Sequence, residues 1–192
     1  MRQKIKKILM TGLILFFILV FAIVLLFRFI PIPTTPYMIS ETSNHGAISY
    51  SWVNLKDISA SVPLSIVAAE DVNFCNHWGF DLAAIRSAIE QGSKRGASTL
   101  SQQVVKNLFL WHQRSWIRKA FEAVLTPVVE ISWPKKRILE VYLNIAETGR
   151  GYFGMSAIAK KRFNKKISEL SLRQVSYIAV TLPNPKKRNA AN

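Results

Sequence analysis

From Ile8 to Phe27 the chain runs for 20 residues without a charge, nearly all of them apolar. A helix rises 1.5 Å per residue, so a run of this length crosses the roughly 30 Å hydrocarbon layer of a bilayer. Arg2, Lys4, Lys6 and Lys7 precede it, and basic flanks stay on the cytoplasmic side, which sends everything after Arg28 across the membrane. A cleaved signal peptide would have a shorter apolar region ending in small residues. Here the run ends Phe27-Arg28-Phe29-Ile30-Pro31, which reads as an uncleaved anchor. The expected organisation is a basic cytoplasmic segment over 1–7, a transmembrane helix over 8–27, a linker over 28–47 stiffened by Pro31, Pro33 and Pro36, and a folded domain over 48–192.

The exported part can build a core, since apolar residues make up 49% of the chain and charged ones only 19%. Cys75 is the sole cysteine, which excludes a disulfide framework and any multi-cysteine metal cluster. Without the five basic residues up to Arg28, 21 basic and 11 acidic residues remain, a net charge of +10 that calls for an anionic partner. Ile48, Tyr50 and Trp52 alternate as in one short strand, and the rest follows helical periodicity, so the domain is expected to be mainly α. Ser61 and Pro63 open a helix to Glu70, Ser98 caps one to Leu110, and Ser115 caps one over Trp116–Ile131. Further helices are expected over Lys135–Glu147, Met155–Phe163 and Ser171–Leu182. The last has Ser171 and Gln174 at capping-box spacing and Pro183 and Pro185 as its stop.

Some formal motif matches carry nothing. Gly149-Arg-Gly151-Tyr-Phe-Gly154 fits the dinucleotide fingerprint but follows a helical stretch, with no parallel-sheet pattern around it. Ser132-Trp-Pro-Lys135 fits S-x-x-K without the companion motifs of penicillin-recognising enzymes. His45, His77 and His112 lack the paired spacing of metal ligands.

Three constellations are more informative. Glu70 and Asp71 end an apolar helix where Val67, Ala68 and Ala69 can partly desolvate them, and desolvation raises a carboxylate pKa towards general acid–base work. Spacing alone serves equally well for a structural acid tied to the loop around His77. Within Gly96–Asn107, Gln102 and Lys106 share one helical face and Gln103 and Asn107 another, and the end at Ser98 and Thr99 offers N–H groups to an anion. The same side chains would also suit a plain solvated face. Arg114, Arg118 and Lys119 precede Glu122, with Arg118 and Lys119 four and three residues before it; such pairs hold the glutamate ionised but are common on helix surfaces. Two carboxylates with clustered Lys and Arg between Glu70 and Glu122 suit sugar chemistry with a phosphate leaving group.

Glu70-Asp71-x-x-Phe74-x-x-His77-x-Gly79, Gly96-x-Ser98-Thr99-x-x-Gln102-Gln103-x-x-Lys106-Asn107, Arg118-Lys119-x-x-Glu122, Arg137-Ile-Leu-Glu140-x-Tyr142-Leu143-Asn144 and Ala179-Val-Thr-Leu182-Pro183-Asn184-Pro185 occur in that order. In this order they resemble the peptidoglycan glycosyltransferases, glycosyltransferase family 51, over about Val62 to Pro185. With no transpeptidase domain in this sequence, the likeness is to the monofunctional biosynthetic branch of the family rather than to class A penicillin-binding proteins.

The resemblance implies a lysozyme-like helical domain that polymerises lipid II at the outer face of the cytoplasmic membrane, releasing undecaprenyl pyrophosphate and inverting the linkage to β-1,4. Carried onto this chain, it makes Glu70 the catalytic base and Glu122 a second catalytic acid that orients cations or helps bind a divalent ion, Mg or Mn, with no cofactor required. Lys106, Arg114, Arg118 and Lys119 would hold the pyrophosphate. Ser98, Thr99, Gln102, Gln103 and Asn107 would line the donor site, and Asp71 and His77 would position Glu70. Partners would be lipid II, the growing glycan, the membrane, and division or elongation proteins. Nucleic acid is excluded by topology.

Ser101 replaces the family's usual threonine and keeps the hydroxyl, and the chain stops at Asn192, where family members generally continue with a further helix. Two rivals stand beside this reading. One is a lytic glycan-cleaving enzyme on the same fold, which needs no pyrophosphate clamp; the other is a membrane-tethered module that binds polyanions through its charge.

Overall fold

Helix α1, Arg2–Phe27, is apolar on every side: successive residues such as Ile8, Leu9 and Met10, and again Leu13 to Leu19, are exposed around its whole circumference. At 26 residues it is about 39 Å long. A helix with no polar face needs an apolar medium. Among the described residues it is the one helix long and apolar enough to cross a membrane. The structure is a computed structural model that describes residues 2–92 and 96–182. It divides into two units, Met1–Pro31 and Ile32–Asn192.

The second unit begins earlier than 48. Residues 36–45, expected to lie in an extended linker, form helix α2, Pro36–His45, in which Tyr37 and Met38 are buried. Thr35 accepts the Met38 N–H and caps the helix, and Pro36 sits in its first turn, where a missing N–H costs nothing. The same proline that stiffens a spacer also starts a helix, and the cap at Thr35 decides between the two.

A short strand β1, Ser49–Tyr50, precedes α3, Ser61–Glu70, and α4, Leu82–Glu90. Next come α5, Leu100–Phe109, α6, Trp116–Ser132, and α7, Lys135–Ile145. A hairpin of β2, Glu147–Gly149, and β3, Tyr152–Phe153, leads into α8, Gly154–Phe163, and α9, Leu172–Thr181. The described residues are therefore mainly helical, with a small sheet in the order β1-β3-β2. Ser171 and Gln174 form the expected capping box of α9, while Pro183 and Pro185 lie outside the described residues. Helix α7 ends two residues before Glu147, which instead opens the hairpin.

Helix α5 is the centre of the core. Leu100, Val104, Val105 and Leu108 are buried against α2, α6 and α7, and each such side chain contributes roughly 1.5–3 kcal/mol of burial. Helix α3 packs on α9. The Arg137–Asn144 motif is a clamp for the chain before α3. Asn144 pairs with both the N–H and the carbonyl of Val53 at 2.8 Å, Glu140 accepts the Leu55 N–H at 2.7 Å, and Arg137 bonds Glu140 while lying over the Trp52 ring.

The glycine triplet that mimics a dinucleotide fingerprint is the hairpin turn. Gly154 has φ +80°, its N–H reaches the Ala146 carbonyl at 2.8 Å, and a Cβ there would collide with the backbone oxygen of Asn144. The S-x-x-K match resolves structurally too. Lys135 pairs with Glu130 at 2.8 Å and covers the Phe74 ring.

Candidate functional site

A cleft of about 1320 Å³ opens among α3, α4, α5 and α6. Glu70, Asp71, Ser98, Thr99, Gln102, Gln103, Lys106, Asn107, Arg114, Arg118, Lys119 and Glu122 all line it. His77 does not.

Glu70 is the last residue of α3, and Gln103, one turn into α5, donates its amide to Glu70 Oε2 at 2.9 Å. Tyr142, fully buried on α7, donates to Gln103 Oε1 at 3.4 Å. Burial first, and then the Glu70 charge, hold the Tyr142 phenol far above its usual range, so it remains a donor. The wall beside Glu70 differs from expectation: Val67 is half-buried, while Ala68 and Ala69 are exposed along the cleft.

Asp71 does more than stand beside Glu70. Its carboxylate takes the Leu100 N–H at 2.8 Å, filling the N-terminus of α5 where an external anion was expected. It also faces His77 Nε2 at 3.0 Å. The Gly79 N–H donates to His77 Nδ1 at 3.1 Å, so Nε2 carries the proton and donates to Asp71. His77 thus braces Asp71 without itself lining the cleft.

The α5 cap is Thr99 rather than Ser98. Thr99 and Gln102 form a reciprocal capping box, and Thr99 Oγ1 also donates to the Gly79 carbonyl at 2.7 Å. Gly79 itself has φ +89°, and a Cβ there would lie 2.5 Å from Thr126 on α6. Thr99 and Gln102 are buried structural residues whose outer edges meet the cleft. Ser101 keeps the role of a hydroxyl, donating to the buried Glu130. Sequence reasoning missed α4, whose cap is Asp81. The Ala84 N–H, and next the Asn73 side chain, hold its carboxyl below the usual range, and these bonds tie α4 to the loop after Glu70.

The cations gather opposite Glu70. Ser115 caps α6 as expected, and the first turns of that helix present Arg118 and Lys119 to Glu122. Arg118 bonds Glu122 Oε2 at 2.8 Å and Lys119 bonds Oε1. Lys119 also approaches Ser98 Oγ at 3.4 Å, and Arg114 projects from the exposed loop before α6. Lys106 has its ammonium pulled below the ordinary lysine range mainly by burial. Glu122 opposes that shift, Arg118 and Lys119 add to it, and Glu70 opposes it, so this one group senses both acids and both neighbouring cations.

Each Glu122 oxygen already faces a cation, Arg118 on one and Lys119 on the other, so a divalent ion bound there would share the carboxylate with both. Among the described residues no three His, Cys, Asp or Glu side chains are grouped to hold a metal.

A mainly helical domain whose cleft sets a tethered glutamate near a half-buried lysine and an arginine–lysine pair fits a transglycosylase. The chain belongs to that family: the Transglycosylase family model matches residues 38–192, starting inside α2 and so within the second unit. It is 48% identical over 190 residues to the biosynthetic peptidoglycan transglycosylase of Jannaschia sp. (strain CCS1), covering 99% of this chain and 80% of that protein. It is 48% identical to the protein of the same name from Mannheimia succiniciproducens, covering 85% and 72%. The Haemophilus influenzae protein of that name is 45% identical, covering 88% and 74%.

Proposed function

We propose that this transglycosylase polymerises lipid II into β-1,4-linked glycan, with Glu70 as the base and Lys106, Arg114, Arg118 and Lys119 as the pyrophosphate clamp. The observation that carries this reading is that Lys106 lines one cleft with Glu70, Glu122, Arg118 and Lys119 and lies within electrostatic reach of all four.

The acceptor sugar's 4-hydroxyl attacks the anomeric carbon of the donor. Its proton passes to Glu70, the new C–O bond forms, and the bond to pyrophosphate breaks with its electron pair leaving on the phosphate oxygen. The Gln103 amide fixes the rotamer of Glu70, and Tyr142 fixes Gln103. Negative charge grows on the leaving group, where preorganised cations stabilise it most. Glu122 keeps Arg118 and Lys119 extended and aligned, a positioning role. A lytic enzyme would have no use for this cluster, because glycan cleavage releases no pyrophosphate.

Helix α1 anchors the chain. The basic residues before it favour a cytoplasmic N-terminus, which puts the second unit on the outer face of the cytoplasmic membrane, where lipid II offers its sugars. The test is purified protein with labelled lipid II in detergent, followed for polymer and for released undecaprenyl pyrophosphate, beside a parallel incubation with finished cell wall. Polymer and pyrophosphate release support the reading. Cleavage of cell wall with lipid II left intact overturns it.

A further inference from the structure

One aromatic contact in the cleft wall has no part in the chemistry above. Tyr37 of α2 stacks on His112, with ring centroids 4.0 Å apart and planes 3° apart. Tyr37 is only 3% exposed and is fixed from two further directions. Its hydroxyl donates to Glu147 of β2, and the Phe153 ring of β3 meets it edge-on at 5.4 Å. Glu147 is anchored in turn by the Gly151 N–H, which donates to its other oxygen at 3.3 Å. Tyr37 is therefore a rigid platform built on α2 and the small sheet.

His112 is different. It lies in the exposed stretch 111–115 between α5 and α6, two residues before Arg114. The next residue, Gln113, accepts Arg118 Nε on its carbonyl at 3.2 Å. The loop is thus held at two consecutive residues, His112 on the Tyr37 platform and Gln113 on the guanidinium that also bonds Glu122. Tyr37, His112, Gln113, Arg114 and Arg118 all border the same cleft. An arginine on an unrestrained loop gives up much of its contact energy to ordering, whereas one on a braced loop meets the anion ready-placed.

We propose that Tyr37 and His112 are positioning residues whose stack holds the α5–α6 loop so that Arg114 meets the leaving pyrophosphate together with Lys106, Arg118 and Lys119. This rests on the pyrophosphate reading of the cleft. It gives α2 a role in the site, reached through a contact between residues 75 positions apart.

The test uses the full chain in detergent, with inorganic pyrophosphate as the binding probe and lipid II turnover as the second readout. His112 is exposed, so His112→Ala is expected to keep the fold by circular dichroism. It should weaken pyrophosphate binding about fivefold, and His112→Phe, which keeps a stacking ring, should restore it. In an Arg114→Ala background the His112→Ala change should cost nothing further, because it acts through Arg114. Unchanged binding in His112→Ala, failure of His112→Phe to rescue, or a loss fully additive with Arg114→Ala would overturn the positioning role while leaving the clamp intact. If Arg114→Ala itself leaves pyrophosphate binding unchanged, the clamp reading fails at Arg114 and the positioning role falls with it.

Discussion

Gln103 stands between Glu70 and Tyr142, donating its N–H to the carboxylate at 2.9 Å and accepting the Tyr142 hydroxyl on its oxygen at 3.4 Å. A carboxylate held this way is restricted to one rotamer before any substrate arrives. Glu70→Gln should abolish polymerisation with the fold and donor binding retained, since only the basic oxygen is lost. Gln103→Leu should keep the base but free its rotamer, lowering kcat by roughly tenfold to a hundredfold. Lipid II turnover and circular dichroism on both variants check this, and a near wild-type rate in Glu70→Gln would remove it as the base.

Glu122 is 3% exposed and Arg118 8% exposed, so removing the carboxylate strands a buried guanidinium. Glu122→Ala should cost about 3 kcal/mol of stability and disorder the clamp together. Glu122→Gln keeps hydrogen-bonding shape and should lose less stability than activity. Denaturant melts beside turnover assays separate the two effects, and turnover untouched in both variants would make this acid purely structural.

Lys106 supplies a pH test. Burial lowers its pKa below the ordinary value of 10.5, so the ammonium is lost at a lower pH than a free lysine would lose it. Affinity for pyrophosphate should therefore fall as pH rises, before the ordinary lysine range is reached. Because the folded pKa is the lower one, the charged form burdens the fold below it. That burden should fade as pH climbs through the folded pKa towards 10.5. Lys106→Arg stays charged and should abolish the alkaline fall in affinity. An identical pH profile in that variant would assign the fall to another group.

How much of this could be read from residues alone depended on whether the signal was local. Ser115, Ser171 and Gln174 lie beside the helices they cap, and those starts were legible. At α5 a hydroxyl was expected to cap, but Ser98 and Thr99 are adjacent, and the partner Gln102 three residues on from Thr99 was the deciding sign. Helix α2 was hidden because prolines read as extended spacer when Thr35 is not read as their cap. Helix α4 was overlooked although Asp81 stands in cap position before Leu82. The function of Asp71 as the internal anion of α5 depends on a bond between residues 29 positions apart, and no spacing rule reports that.

The hairpin glycines offer a stability contrast. Gly151 and Gly154 both have positive φ, +74° and +80°, yet a Cβ at Gly151 meets nothing within 4 Å while one at Gly154 meets the Asn144 backbone. Gly151→Ala should cost about 1 kcal/mol, from backbone conformation alone. Gly154→Ala should cost several times more and loosen the Asn144 clamp on Val53. Urea melts of the two variants test the ordering, and equal losses would mean the α7 end yields freely.

Removing residues 1–28 tests whether α1 sets where the enzyme works or how its chemistry works. Lipid II carries its isoprenoid tail in the bilayer, so an anchored enzyme meets it at a raised effective concentration. The second unit has apolar surface of its own. In the apolar run Phe109, Leu110 and Trp111 at the end of α5, Leu110 is buried and Phe109 half-buried, which leaves only the Trp111 ring exposed. Helix α6 carries the larger patch: Ile117, Phe121, Val124 and Ile131 follow helical spacing and are 46–76% exposed. The truncated protein should therefore retain partial affinity for vesicles, weakened further by Phe121→Ser with Val124→Ser. Its activity should fall strongly on lipid II in bilayers and much less in detergent micelles, where enzyme and substrate mix freely. If the deletion cripples both assays equally while circular dichroism shows an intact fold, the first 28 residues contribute to the chemistry itself and the anchor is part of the site.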